Sequence, residues 1–209
     1  MLDKKKFLLV GSYAESLLNF RGPLLSAIRA QNIEVHVGAP NLPAESPVRR
    51  RLEELGVNVH EIILQRTSMN PFGDVVAVLS LVHLIVKIKP TFFMGYTIKP
   101  VIYGNLAAWI ARVPNRFALI TGLGFTFQNN GKFRSVFKQL VQLLYKFSLR
   151  LVDKVFFQNA DDEALFHRLA LINPVHTLST VVNGSGVDLD AFGVLPLPSG
   201  AKFLMIARL

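Results

Sequence analysis

Apolar, β-branched runs alternate with helix-like segments along nearly the whole chain, and this pattern most restricts the fold. The runs are Phe7–Gly11, Ile33–Gly38, Val57–Ile63, Phe92–Tyr96, Phe117–Thr121, Val155–Gln158, Leu178–Val182 and Phe203–Ala207. Between most of them lie segments with helical character: Ser16–Ala30, Pro47–Leu55, Asp74–Lys87, Lys99–Ala111, Phe133–Leu151 and Ala160–Leu169. Strands that read as near-continuous apolar runs are covered on both faces, as in a parallel sheet. Strand–helix alternation of this kind implies an α/β domain, a Rossmann-like doubly wound, mostly parallel sheet with helices on both faces. Ligands are then expected beyond the carboxyl ends of the strands.

Hydrophobic residues make up 51% of the chain and the mean hydropathy is +0.37, so a core is amply supplied and disorder is not expected. The longest apolar run, Val75–Ile88, is broken by Ser80, His83 and Lys87. It falls short of the roughly 20 residues that span a bilayer and reads as a buried helix. The charged start Met1–Lys6 precedes an apolar run too short for a secretory leader. Cysteine is absent, which excludes disulfides and thiolate metal sites and fits a reducing compartment.

The net charge of +9 is unevenly placed. No acidic residue lies between Asp74 and Asp153, whereas ten of the 23 bases do. An anionic partner should meet the chain there. Within that block Arg134, Lys138, Gln142, Lys146, Arg150 and Lys154 recur at four-residue spacing, with Lys132 just before them. Phe133, Phe137, Leu140, Leu144 and Phe147 supply an apolar side. A basic amphipathic helix of this kind can lie on an anionic membrane, and it can equally be a solvated basic face. No nucleic-acid-binding motif is visible.

Short loop motifs follow the strands. Gly11-Ser12 ends the first, before a helix carrying Asn19-Phe20-Arg21-Gly22-Pro23; backbone N–H groups at such a start can hold an anion, and a plain βα turn reads the same way. Tyr96-Thr97-Ile98-Lys99-Pro100 follows the fourth strand, with Tyr96 and Lys99 either facing a ligand or packing into the fold. Thr121-Gly122-Leu123-Gly124-Phe125 follows the fifth; its glycines permit close backbone approach, as does a tight turn with core aromatics. Asn183-Gly184-Ser185-Gly186 follows a later strand and makes an anion-friendly loop. The pair Asp188 and Asp190 imitates a metal-binding DxD signature but reads better as a cap. Asn159, Asp161, Asp162 and Glu163 open a helix as caps and dipole partners. The histidines show no metal-ligand spacing, and no metal or other cofactor is expected.

The ordered set YTIKP, TGLGF, FQNADDEALF, NGSGVDLDAF and the terminal ARL resembles the front half of a family-4 glycosyltransferase of the bacterial surface-polysaccharide, lipid-linked oligosaccharide kind. Asn183 stands where that family usually has proline. The resemblance implies a GT-B architecture. Residues 1–200 would be the acceptor-side Rossmann-like domain, ending in the linker Gly193–Gly200, and 201–209 would be the first strand of a donor-binding domain. It implies a retaining, metal-independent transfer of a sugar from an NDP-sugar, a UDP-sugar above all, to a saccharide or polyprenyl-diphosphate-linked acceptor. Gly11, Ser12, Arg21, Tyr96, Lys99, Gly122, Gly124, Phe125, Ser185 and Gly186 would line the cleft, and Arg208 would grip the donor diphosphate. The chain would be cytoplasmic, and where Lys132, Arg134, Lys138, Lys146 and Arg150 face a membrane, peripheral on the inner face of a bacterial cytoplasmic membrane. The resemblance further implies that 1–209 alone transfers no sugar. A stand-alone anion- or nucleotide-binding module and a non-catalytic membrane-surface subunit remain as alternatives.

Overall fold

The computed structural model describes residues 4–65, 70–122, 132–186, 196, 199–201 and 203, without the side chains of 132–137. Seven strands form one sheet: β1 Lys6–Val10, β2 Glu34–Ala39, β3 Asn58–Glu61, β4 Phe92–Tyr96, β5 Asn115–Ile120, β6 Lys154–Phe157 and β7 Leu178–Val181. Their order is β3-β2-β1-β4-β5-β6-β7, and every neighbouring pair is parallel. The expected doubly wound sheet is therefore present, with its switch point between β1 and β4.

Period-two alternation along β1 separates the two faces. Phe7 and Leu9 pack with Leu17, Leu25 and Leu52, from helices α1 Glu15–Asn19, α2 Gly22–Ala30 and α3 Pro47–Glu54. Leu8 and Val10 point the other way, to Leu81, Ile85 and Ala107 of α4 Pro71–Ile88 and α5 Asn105–Ile110. Farther along the sheet, Ala118 and Ile120 meet Tyr145 and Leu149 of α6 Lys132–Leu149 and Phe166 of α7 Ala160–Arg168. Fully burying such a side chain contributes about 1.5–3 kcal/mol.

Three expectations change. The first helix is two helices, broken at Phe20-Arg21, because Pro23 lacks an N–H and its ring cannot sit inside a continuing helix. Lys99–Ala111 is a π-helical turn, Pro100–Gly104, running into α5. It sits so close to β4 that a Cβ on Gly95 would strike the Pro100 carbonyl. Finally, α4 is not a buried helix. Asn70 caps it, its Oδ1 accepting from Phe72 N at 3.1 Å, Lys89 ends it in the left-handed region, and only 22% of it is buried. Phe203 lies outside the sheet, with its side chain exposed. The rest of the expected strand Phe203–Ala207, and with it Arg208, lies outside the described residues.

On β2 and β3, His36 Nδ1 and His60 Nε2 lie 2.9 Å apart with their rings stacked, so one must accept and stay neutral. Glu34 Oε1 is 2.8 Å from His36 Nε2. Burial pulls both pKa values down. That of His60 falls to about 4, with His36, Arg49 and Lys87 adding repulsion. For His36, Glu34 partly offsets the burial. The unfolded chain therefore takes up a proton on His60 near pH 6.5 and the folded chain only near 4. This contribution to stability should be complete above pH 6.5 and decline as the pH falls to 4. Urea midpoints measured across that range should show the decline, with a flatter profile for His60→Gln.

Candidate functional site

Parallel strands present all their carboxyl ends at one edge, so the loops after β1, β4, β5, β6 and β7 share it. Gly11 N donates to Gly38 O at 2.9 Å, and the space where its Cβ would stand is occupied by the Tyr96 ring. The glycine thus admits an aromatic side chain. Tyr96 is fully buried, and its hydroxyl lies 2.7 Å from Ser16 Oγ. Ser16 Oγ also donates to Tyr13 O at 2.6 Å. Since that uses its one proton, Tyr96 is the donor to Ser16. Burial raises the Tyr96 pKa, with Ser16 and Arg21 offsetting part of the effect. Beside this pair, Ser12 Oγ meets Thr97 Oγ1 at 2.7 Å.

Arg21 stands at the break between α1 and α2 and is 6% exposed. Its guanidinium lies over the Tyr96 ring, 5.2 Å from the centroid, a cation–π arrangement. Nη1 donates to Phe20 O at 3.4 Å and to Ser185 Oγ at 3.2 Å, while Nε has no hydrogen-bond partner among the described residues. Among the described residues no carboxylate pairs with Arg21. Burial lowers its pKa and Tyr96 partly restores it. Guanidinium nevertheless keeps its charge in proteins.

Ser185 lies between two glycines at positive φ, Gly184 (67°) and Gly186 (75°). Its Oγ also accepts from Gln158 Nε2, at 2.9 Å. With two donors aimed at its oxygen, the Ser185 hydroxyl proton is left to point at a third group. Half-buried at the sheet edge, Ser185 can donate to an oxygen of a ligand. The anion-friendly loop is thus a turn held by Arg21 and Gln158, its hydroxyl proton without an acceptor among the described residues.

The sequence-derived residues divide accordingly. Gly11, Ser12, Arg21, Tyr96, Ser185 and Gly186 lie in or beside this cluster. Gly122, at φ 134°, follows β5 at the same edge; Gly124 and Phe125 lie outside the described residues. Lys99 is held elsewhere. Its Nζ is 2.6 Å from Asp74 Oδ1, and Tyr103 donates to Asp74 Oδ2 at 2.8 Å, so its charge is balanced inside the fold. Of the basic ladder, Lys138 and Lys146 are half-buried and Arg150 is exposed. Lys132 and Arg134 have side chains outside the described residues. Ser16, Thr97 and Gln158 join the cluster without having been among the expected site residues. Each lies just past a strand's carboxyl end or in the first helix after it, and that position was the available signal. Asn159 caps α7 as expected, its Oδ1 accepting from Asp162 N at 2.7 Å.

The Tyr96 ring and the missing Gly11 Cβ form one contact, so their substitutions should couple. Gly11→Ala should cost about 1–3 kcal/mol through overpacking. In a Tyr96→Ala background the same change should cost little, and a double-mutant cycle in urea should return a coupling energy of at least about 1 kcal/mol.

Over residues 6–159 the chain matches the family described as glycosyl transferase 4-like. It is 26% identical over 189 residues to the N,N'-diacetylbacillosaminyl-diphospho-undecaprenol alpha-1,3-N-acetylgalactosaminyltransferase of Campylobacter jejuni. The match covers 90% of this chain and 48% of that enzyme, so the chain spans about half the length of its curated relative. Among solved structures, Anabaena HepE in complex with UDP and glucose superposes with a TM-score of 0.60 at 14% identity, covering 92% of this chain and 47% of that one. A UDP-glucosyltransferase from Polygonum tinctorium superposes with a TM-score of 0.59 at 10% identity, covering 95% of this chain and 56% of that one. At such identities the structural likeness establishes the fold. The family match, spanning most of the chain, establishes that the protein belongs to the glycosyl transferase 4-like family.

Proposed function

We propose that this chain is the acceptor-side half of a glycosyltransferase that moves a sugar from an NDP-sugar, UDP-linked above all, to a polyprenyl-diphosphate-linked saccharide. A second Rossmann-like domain supplies the nucleotide-sugar side in this reading. The arrangement of Arg21, Gln158 and Ser185 at the carboxyl edge of the sheet is the observation that carries it. A diphosphate-linked acceptor needs a hydrogen-bond donor and a positive field at one place. Ser185 offers the donor, and Arg21, desolvated beneath it, offers the field. A cation held in a low-dielectric setting acts more strongly on a nearby anion than one in water. Family membership and the undecaprenol-linked substrate in the Campylobacter enzyme's name support the same reading.

The chemistry in this reading is retaining transfer. The nucleoside diphosphate leaves from the face that the acceptor hydroxyl attacks, and its oxygen helps take the acceptor proton. No metal is invoked. The part assigned to this chain is to orient the acceptor: Ser185 and the 184–186 turn hold an acceptor oxygen, Gln158 and Arg21 fix that turn, and Tyr96 fixes Arg21.

Calorimetric titration with a soluble, short-prenyl diphosphate saccharide tests this assignment. The chain should bind it, and Ser185→Ala and Arg21→Gln should each weaken binding about tenfold, since one such hydrogen bond contributes about 1–1.5 kcal/mol. With UDP-sugars added, the chain alone should transfer nothing. Absence of acceptor binding would sink the acceptor-side assignment. Turnover by the chain alone would overturn the division of labour between two domains.

A further inference from the structure

The stretch without acidic residues, 75–152, holds nearly all of α4, the whole of α5 and α6, and strands β4 and β5 of the sheet. In it α4, α5 and α6 lie on the same face of the sheet, with α5 packed against both neighbours. The inner side is core, formed by Leu81, Ile85, Ala107, Tyr145 and Leu149. The outer side is also apolar. On α4, Phe72 is 83% exposed and Leu79 64%, with Val75, Val76 and Val86 exposed in the same stripe. The spacing 72, 75, 76, 79, 86 keeps these side chains on one face, opposite Ala77, Leu81, Ile85 and Ile88. Trp109 and Ile110 extend the patch from α5, and Leu140, Leu143 and Phe147 from α6, all about half exposed or more. Single exposed apolar residues are ordinary, but a patch spread over three adjacent helices marks an interaction surface.

The charges around the patch identify its occupant. Lys87 and Lys89 at the end of α4, Arg112 after α5 and Arg150 after α6 are exposed. A groove of about 400 Å³ at this end is lined by Val86, Lys89, Pro90 and Arg112 among others, mixing apolar and basic surface. Asp74, in the first turn of α4, is already engaged by Lys99 and Tyr103. A second copy docking here would set the same bases against one another with no acid between them, which is repulsive. An anionic bilayer offers an apolar interior beneath negative headgroups, complementing both features.

We propose that the outer face of α4, α5 and α6 docks on an anionic lipid surface. The helices lie on the bilayer without crossing it, because the inner side of α4 is fixed to the sheet. The helices run antiparallel to the strands, so their terminal bases gather at the edge opposite Arg21 and Ser185, and the apolar stripe runs toward that site. This surface rests on exposure and charge alone and stands whether or not the transferase reading does. It widens the expected membrane face from α6 to three helices.

Trp109 is the chain's one tryptophan and reports on the patch. The chain should co-sediment with vesicles of phosphatidylcholine and phosphatidylglycerol but not with phosphatidylcholine alone. Trp109 emission should shift to the blue on binding. Half-molar salt should reverse both effects, since screening shortens the reach of the bases. Phe72→Glu/Leu79→Glu and Lys87→Glu/Arg112→Glu should each weaken binding at least tenfold with unchanged urea midpoints, all four positions being exposed. Arg50→Glu/Arg51→Glu, on α3 across the sheet, makes the same change in net charge and should leave binding within about twofold. The proposal is overturned by equal binding to both lipids, by native binding in the patch variants, or by a dimer in equilibrium sedimentation that Leu79→Glu dissolves.

Discussion

The packing of Tyr96 against Gly11 holds together everything at the carboxyl edge of the sheet. Here β1 and β4 are neighbours whose chains depart to opposite faces, and this leaves a crevice between their ends. The Tyr96 ring fills its floor, which it can do only because Gly11 has no side chain. From that position the ring carries Arg21 on its face and anchors α1 through Ser16. Arg21 in turn reaches Ser185, 164 residues away in sequence. Strands β1 and β7 are four places apart in the sheet, roughly 19 Å. The break at Phe20-Arg21 and the turn at 184–186 must therefore lean toward each other over the edge.

Two cations near this edge show how burial and pairing divide their roles. Lys99 is neutralised by Asp74 and locked between Asp74 and Tyr103, which ties α4 to the π-helical turn after β4. Arg21 is buried without a carboxylate among the described residues. Desolvation of that kind is costly. Ring contact and two hydrogen bonds meet part of the cost, and Nε has no partner among the described residues. A fold gains nothing in stability from such an arrangement, since a well-packed apolar side chain would fill the same space. The placement makes sense as a source of positive field.

The strands, their order of appearance and the shared edge were legible because parallel strands buried on both faces leave a strong apolar signature. The helix break carried a local mark in Gly22-Pro23, inside the segment Ser16–Ala30 that was expected to be one helix. What lay beyond reading were the pairings. Nothing in sequence marks Asp74 as the partner of Lys99, or brings Gln158 and Arg21 to one hydroxyl, because those contacts depend on how loops lean once the sheet exists. Hydropathy misled at α4 for a related reason. An apolar run shows that burial is favourable but not which side is buried, and a helix apolar on two faces reads the same as one enclosed in a core.

That ambiguity separates two demands on the same helix. The sheet requires Ala77, Leu81, Ile85 and Ile88, which cover β1 and β4. It requires nothing of Phe72 or Leu79, whose side chains stand mostly in water, where each exposed square ångström of apolar surface forgoes about 25 cal/mol of burial energy. Folding therefore does not account for the outer stripe. Nor does it account for the absence of any acid from 75 to 152, because carboxylates on the outer face would make helices as good and a surface more soluble. The apolar stripe lies on helices of that acid-free stretch, while the hydrogen-bonding groups gather at the sheet's carboxyl edge. The molecule thus keeps its clustered hydrogen-bonding groups and its exposed apolar surface on adjoining sides. A ligand with a polar head and an apolar tail would meet each side with the matching part.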